Sequence, residues 1–189
     1  MIVRSVSDMG ETVTLAGRTG AGKSTIFKLI LGLYSPQQGS VTIFGAPADQ
    51  ISDRQKRRLF GYVEQTLRPA SGTVGDQISL FDETITADQI AHAVRLVGLD
   101  SVIAQLPQGM ATPWDPALFS QGQLQLLAIA RAVAADPRIL LLDEITANLD
   151  SGTEALVMEA LRRASANRTV ISISHRLYQH NRNGRLISI

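Results

Sequence analysis

The chain has no cysteine, a single tryptophan and an aromatic share of 5% over 189 residues. Without cysteine there are no disulfides, no thiolate metal sites and no cysteine nucleophile. Charge of one sign is also lacking: 18 Lys and Arg stand against 17 Asp and Glu, for a net charge of +1. That balance gives no global basic field of the kind that gathers nucleic acid. No apolar run approaches the roughly 18 residues needed to span a bilayer. Residues 1–10 carry charge early and have no apolar stretch, so they do not read as a signal peptide. Internal repeats and low-complexity tracts are absent too. What is present is a 44% apolar fraction, too high for a disordered chain. The length suits one domain, or one domain with a sub-domain.

Short apolar runs rich in branched residues recur at 12–16, 41–44, 60–63, 139–142 and 169–173, and each reads as a buried strand. Helical patterns lie between several of them, at 23–33, 123–135 and 153–164. Such alternation predicts an α/β fold around a mostly parallel sheet. From Leu67 to Ala135 no strand pattern stands out. Residues 86–97 predict a helix with Ile90, Ala93, Val94 and Val97 on one face and Thr86 as its cap. Val102, Ile103 and Leu106 suggest a shorter one, and 109–119, rich in proline, an irregular loop. The expected organisation is a core of residues 1–66 and 136–189 with a helical sub-domain, 67–135, inserted into it. Residues 184–189 read as a turn and a last strand.

Gly17-Arg18-Thr19-Gly20-Ala21-Gly22-Lys23-Ser24 fits G-x-x-x-x-G-K-[ST] at every fixed position, between an apolar strand and an amphipathic helix. The glycines let backbone N–H groups curl around phosphate oxygens without Cβ clashes, and the following helix turns its positive end to the anion. The candidate nucleotide-binding set is Gly17, Thr19, Gly20, Ala21, Gly22, Lys23, Ser24 and the adjoining Thr25. Lys23 is expected to reach the β- and γ-phosphates and Ser24 to place its hydroxyl on Mg²⁺.

The apolar run 139–142 ends in Asp143-Glu144. Ligands collect at the carboxyl ends of strands in sheets of this kind. Asp143 would therefore face the Mg²⁺, and Glu144 would orient or deprotonate the attacking water. Farther upstream, Ser120-Gln121-Gly122-Gln123 is a capping box opening an amphipathic helix. Ser120, the Gly122 amide and the helix dipole make a second candidate anion site.

These motifs, in order, resemble those of ATP-binding cassette (ABC) ATPases. Ser120–Gln123 is similar to the family's signature, usually Leu-Ser-Gly-Gly-Gln, with Phe119 for Leu and Gln121 for the first Gly, the latter a variation found among exporters. Gln65 in Phe60-Gly61-Tyr62-Val63-Glu64-Gln65 looks like the Q-loop glutamine, Ala147-Asn148-Leu149-Asp150 like the D-loop, and His175 in Ser174-His175-Arg176-Leu177 like the switch histidine. The resemblance covers nearly the whole chain from Gly10 to about Arg185. It implies a P-loop ATPase core with a helical insertion and ATP sandwiched head to tail between two such domains. Each signature, Ser120, Gly122 and Gln123 here, would then close on the partner's ATP. Gln65 would contact Mg²⁺ or water and link to the transmembrane partner, His175 would hold the γ-phosphate, and Asp150 would communicate across the dimer. The implied setting is the cytoplasmic face of a membrane, with the transmembrane domains on a longer chain or a separate subunit.

The sequence departs from the family pattern in places. It reads as shortened at both ends, no aromatic residue precedes Gly17 to stack on adenine, and Pro113-Trp114-Asp115-Pro116 stands where exporters carry a longer Gly- and Glu-containing loop. Other features read blandly: 53–58 as a solvated charged helix face, and His92 and His180 as structural or surface residues. Two further readings remain open from sequence: a soluble member of the superfamily acting on nucleic acid or ribosomes, and a module that uses ATP only to dimerise.

Overall fold

A computed structural model describes residues 10–18, 20–145, 149–173 and 184–189. Among them the main sheet has five strands in the order β4-β5-β6-β1-β7, every neighbouring pair parallel. The strands are β1 (Thr12–Ala16), β4 (Phe60–Val63), β5 (Ile139–Asp143), β6 (Thr169–Ile173) and β7 (Arg185–Ser188). The remaining two, β2 (Thr42–Ile43) and β3 (Ala46–Pro47), form a separate antiparallel ribbon. The α/β class and the mostly parallel sheet are as expected.

The two-residue period of the strands sorts the core onto two faces. Ile139 and Leu141 of β5 join Val13, Leu15, Phe60 and Ile173 beneath Phe27 of helix α1 (Lys23–Ile30). Leu140 and Leu142 point the other way, into a larger cluster with Val63, Val94, Leu127, Val157 and Val170. Burial on both faces is why β5 reads as an unbroken apolar run. Between β1 and β6 the paired Thr14 and Ser172 satisfy one another by a buried 2.9 Å hydroxyl–hydroxyl bond.

The helices follow their caps. Ser52, Thr73, Thr86 and Ser120 each close a capping box at the start of α2 (Asp53–Leu59), α3 (Val74–Ser79), α4 (Ala87–Val97) and α6 (Gln121–Val133). Asp150 caps α7 (Ser151–Ala164), and α5 (Asp100–Ala104) is the short helix expected near Val102. Helix α6 lies in the middle of the larger cluster, packed on β4 and against α3, α4 and α7, and nine of its thirteen residues are buried. As expected, α2 buries no side chain, and a last strand, β7, lies within 184–189.

Two details differ from the sequence reading. The run 41–44 is not a buried strand of the sheet: Phe44 and Gly45 take positive φ (50° and 84°) and reverse the chain after Ile43. That is the backbone a tight antiparallel turn demands. Phe44 is left exposed, its ring 5.8 Å from the Arg138 guanidinium carbon. Helix α3 was not anticipated, because six residues are too few for a periodicity signal.

Gly61 fixes how closely α6 approaches β4. A Cβ there would lie 2.3 Å from the Ala132 carbonyl oxygen and 2.7 Å from Leu140 Cδ2. The backbone oxygen cannot yield without moving the helix. Gly61→Ala is therefore expected to destabilise the protein by about 2 kcal/mol or more, read as a lowered urea midpoint. An unchanged midpoint would contradict so tight a contact.

Candidate functional site

Because the strands of the sheet are parallel, the chain leaves all of them on one edge. There β1 runs into the glycine loop, β5 into Asp143-Glu144 and β4 into Glu64-Gln65. With strands about 4.8 Å apart, and β6 between β1 and β5, the glycine loop and the acidic pair emerge about 10 Å from each other.

The loop closes tightly on itself. Lys23 donates from Nζ to the carbonyls of Gly17 and Arg18, each at 2.9 Å, and the Ala21 amide donates to the Arg18 carbonyl at 3.1 Å. Gly20 and Gly22 sit in the left-handed region (φ 84° and 95°), with nothing within 4 Å of where a Cβ would be. The space beside both glycines, at the start of α1, is open. Gly17 is constrained differently: a Cβ would meet the Ile189 carbonyl at 2.8 Å, where the end of β7 closes against β1. Ser24 and Thr25, in the first turn of α1, are exposed. Thr19 lies outside the described residues.

Across the edge, Asp143 ends β5, half-buried, and accepts a 3.0 Å hydrogen bond at Oδ2 from the Tyr62 hydroxyl. Burial, and next the Asp143 charge, push the Tyr62 phenol well above its ordinary value, so it stays a donor. Glu144 is exposed and holds φ at 47°, and its amide carries the β5–β6 ladder one step further by donating to the Ile173 carbonyl at 3.0 Å. A left-handed glutamate costs about 1 kcal/mol, a strain of the kind that gathers at functional sites. The donors at this edge are oxygen: the Ser24 hydroxyl, the Asp143 carboxylate and the Gln65 amide. Such a set suits a hard cation such as Mg²⁺.

Gln65 is exposed, and its chain neighbours Glu64 and Thr66 line a cleft of about 340 Å³ together with Tyr62, Arg68, Ile78, Leu80 and Arg131. Arg131 organises this cleft from α6, donating from Nε to the Gln77 carbonyl at 2.5 Å and from Nη1 to the Arg68 carbonyl at 2.8 Å. Leu80 and Phe81, both at positive φ (50° and 60°), are exposed beside it.

Ser120 is exposed at the N-terminus of α6, where its hydroxyl accepts from the Gln123 amide at 3.3 Å and Gln123 Oε1 accepts from the Ser120 amide at 2.8 Å. Asp150 caps α7 in the same way, accepting from the Gly152 and Thr153 amides at 3.1 and 3.0 Å. Bonds from Thr153, side chain and then amide, hold the Asp150 carboxyl below its usual range. The two helix starts touch: a Cβ on Gly122 would lie 2.3 Å from Thr153 Cγ2. Glycine at that position thus has a packing reason beside its expected role towards an anion.

His175, Ala147 and Asn148 lie outside the described residues. Tyr62 and Arg131 were not singled out in the sequence. Arg131 did carry a signal, as a lone charge in the apolar run Leu126-Leu127-Ala128-Ile129-Ala130-Arg131-Ala132-Val133. Tyr62 carried none, because its partner is set by strand register.

Residues 5–147 match the model of the ABC transporter family. The chain is 42% identical over 170 residues to the probable multidrug resistance ABC transporter ATP-binding/permease protein YheH of Bacillus subtilis, covering 89% of this chain and 25% of that protein. It is 37% identical over 177 residues to the mycobactin import ATP-binding/permease protein IrtB of Mycolicibacterium smegmatis, covering 93% of this chain and 31% of the relative. Among solved structures, that of a bacterial Atm1-family ABC exporter with ATP bound matches with a TM-score of 0.81 and 32% identity, over 96% of this chain and 32% of the exporter chain. The chain therefore spans between a quarter and a third of the length of these relatives. With its family model, its relatives and its fold in agreement, the chain belongs to the ABC transporter family, as an ATP-binding domain.

Proposed function

We propose that this domain hydrolyses MgATP at the shared strand edge and that the cycle powers transport, in the direction of export, through transmembrane domains. The observation that carries the reading is the meeting, on one edge of a parallel sheet, of an open left-handed glycine loop holding Lys23 and a strained Glu144 beside Asp143. YheH and the Atm1-family protein are named as resistance or export systems and IrtB as an importer. The nucleotide chemistry is the same for either direction.

The loop amides of Gly20, Ala21 and Gly22 would bind the phosphates, with Gly17 and Thr19 shaping the turn and Thr25 adjoining it. Lys23 would exchange the carbonyls of Gly17 and Arg18 for the β- and γ-phosphate oxygens. Ser24, Asp143 and Gln65 would hold Mg²⁺, which supplies charge neutralisation at those oxygens. Glu144 accepts the proton of the attacking water as its oxygen bonds to the γ-phosphorus and the bond to the ADP oxygen breaks. His175 would hold the γ-phosphate and position Glu144.

A second domain completes the site. The exposed Ser120, with Gly122 and Gln123 at the start of α6, would close on the partner's ATP. Asp150, whose helix abuts that start, would pass the state of one site to the other. Residues 67–135 would act as the signature-bearing sub-domain on a core of 1–66 and 136–189. The cleft beside Gln65, with Leu80 and Phe81 exposed at its rim, is the face we assign to the transmembrane partner. Such docking would hold the domain at the cytoplasmic face of the membrane.

Two variants test this. Lys23→Ala is expected to weaken ATP binding and lower turnover by at least about 100-fold, since it removes a charge aimed at the transferring phosphoryl group. Unchanged turnover would refute the assignment of the loop. Glu144→Gln is expected to keep ATP binding, measured by equilibrium titration, while phosphate release falls by about 100- to 10,000-fold, the range of a general base. If the unaltered protein binds ATP and dimerises but releases no phosphate even with its membrane partner, the domain is a dimerisation module instead.

A further inference from the structure

We propose that Tyr62 is a positioning residue for Asp143: its hydroxyl holds one carboxylate oxygen and so sets the rotation in which Asp143 meets the metal. The inference rests on the reading of Asp143 as a metal-holding carboxylate, and goes beyond it in assigning the residue that orients it.

The geometry points to Tyr62 by three steps. Strand register comes first. Tyr62 of β4 pairs with Leu141 of β5, and Asp143 lies two residues beyond Leu141 on the same face. A tyrosine is long enough to cover that diagonal, and its hydroxyl reaches Asp143 Oδ2 at 3.0 Å. A carboxylate oxygen only accepts, so the phenol is the donor.

The second step is the support of the ring. Tyr62 packs against the cluster under α1, and the Phe27 ring meets it edge to face, with centroids 6.1 Å apart and planes at 82°. Phe27 is 1% exposed and has no room to shift. It lies three residues after Ser24 and four after Lys23, one turn along the same helix face. The tyrosine is thus braced by the helix that carries the hydroxyl and the ammonium of the phosphate loop, and it hands that brace to the carboxylate on the neighbouring strand.

The third step is chemical. A carboxylate at the end of a strand turns freely about its last bond unless something holds it. Partners that fix the orientation of a metal-holding group typically alter metal affinity by about 10- to 100-fold when removed. Tyr62→Phe keeps the ring and its Phe27 contact and deletes only the donor.

The test is a titration of the full chain with Mn²⁺ in the presence of adenylyl imidodiphosphate, free Mn²⁺ being read by electron paramagnetic resonance. The same titration is run on Tyr62→Phe, Tyr62→Ala and Asp143→Asn. The expected results are a Mn²⁺ dissociation constant raised about tenfold in Tyr62→Phe, at least as much in Tyr62→Ala, and an unchanged affinity for the analogue without metal. A purely packing role would lower the melting temperature of the metal-free protein and leave the Mn²⁺ constant where it was, which would overturn the proposal. If Asp143→Asn weakens Mn²⁺ binding and Tyr62→Phe does not, Tyr62 is refuted and the Asp143 reading stands. If Asp143→Asn has no effect, the reading of Asp143 fails and the proposal falls with it.

Discussion

Parallel pairing of β4, β5, β6 and β1 is the constraint on which everything else in this molecule depends. Strands running in one direction must all discharge their chains on the same edge. The glycine loop, Asp143 and Glu144, to which we assign phosphate, metal and the proton of water, can then converge from positions far apart in sequence. Two layers of apolar side chains keep the strands in register: Ile139 and Leu141 beneath α1, Leu140 and Leu142 beneath α6. The same packing that stabilises the sheet aligns Asp143 with Tyr62 and brings the Glu144 amide to Ile173.

Among the described residues, Phe44, Leu80, Phe81, Asp136 and Asn167 take left-handed backbone outside this edge, and Glu144 does so on it. Glu144 takes a left-handed backbone where glycine or asparagine would be at ease, and it is held there by one ladder hydrogen bond. Gly20 and Gly22 take left-handed backbone at no steric cost. Where the helices begin, sequence and fold agree. The capping boxes of α4 and α6 begin where an apolar stripe begins, and the charged face of α2 stays in water. Helix α6 serves three ends along its length: its start carries the exposed Ser120, its middle is core, and its end is pressed onto Gly61.

Much of this was legible in the residues. The run of branched apolar residues ending in Asp143-Glu144 announces a central strand because both of its faces are buried. Lys23 and Ser24 announce themselves through the glycines before them. Ser120 and Gln123 are readable as a cap because the capping box is local, spanning four residues. What stayed hidden depends on tertiary register or on short elements. Tyr62 gains its partner only once β4 lies beside β5, and α3 is six residues whose stability comes from its Thr73 cap and its contact with α6. The run 41–44 misled because apolar content does not distinguish a sheet strand from a ribbon that turns back at Phe44-Gly45.

The central claim is that the glycine loop and the acidic strand end act on one triphosphate. The most direct measurement is a crystal structure of Glu144→Gln with ATP and Mg²⁺. The account predicts the triphosphate wrapped by the amides of Gly20 to Lys23, Lys23 Nζ moved off the Gly17 and Arg18 carbonyls, and the Ser24 hydroxyl and an Asp143 oxygen both in the coordination sphere of Mg²⁺, directly at about 2.1 Å or through its waters. A nucleotide bound elsewhere, or a metal ion that Asp143 does not approach, would contradict it.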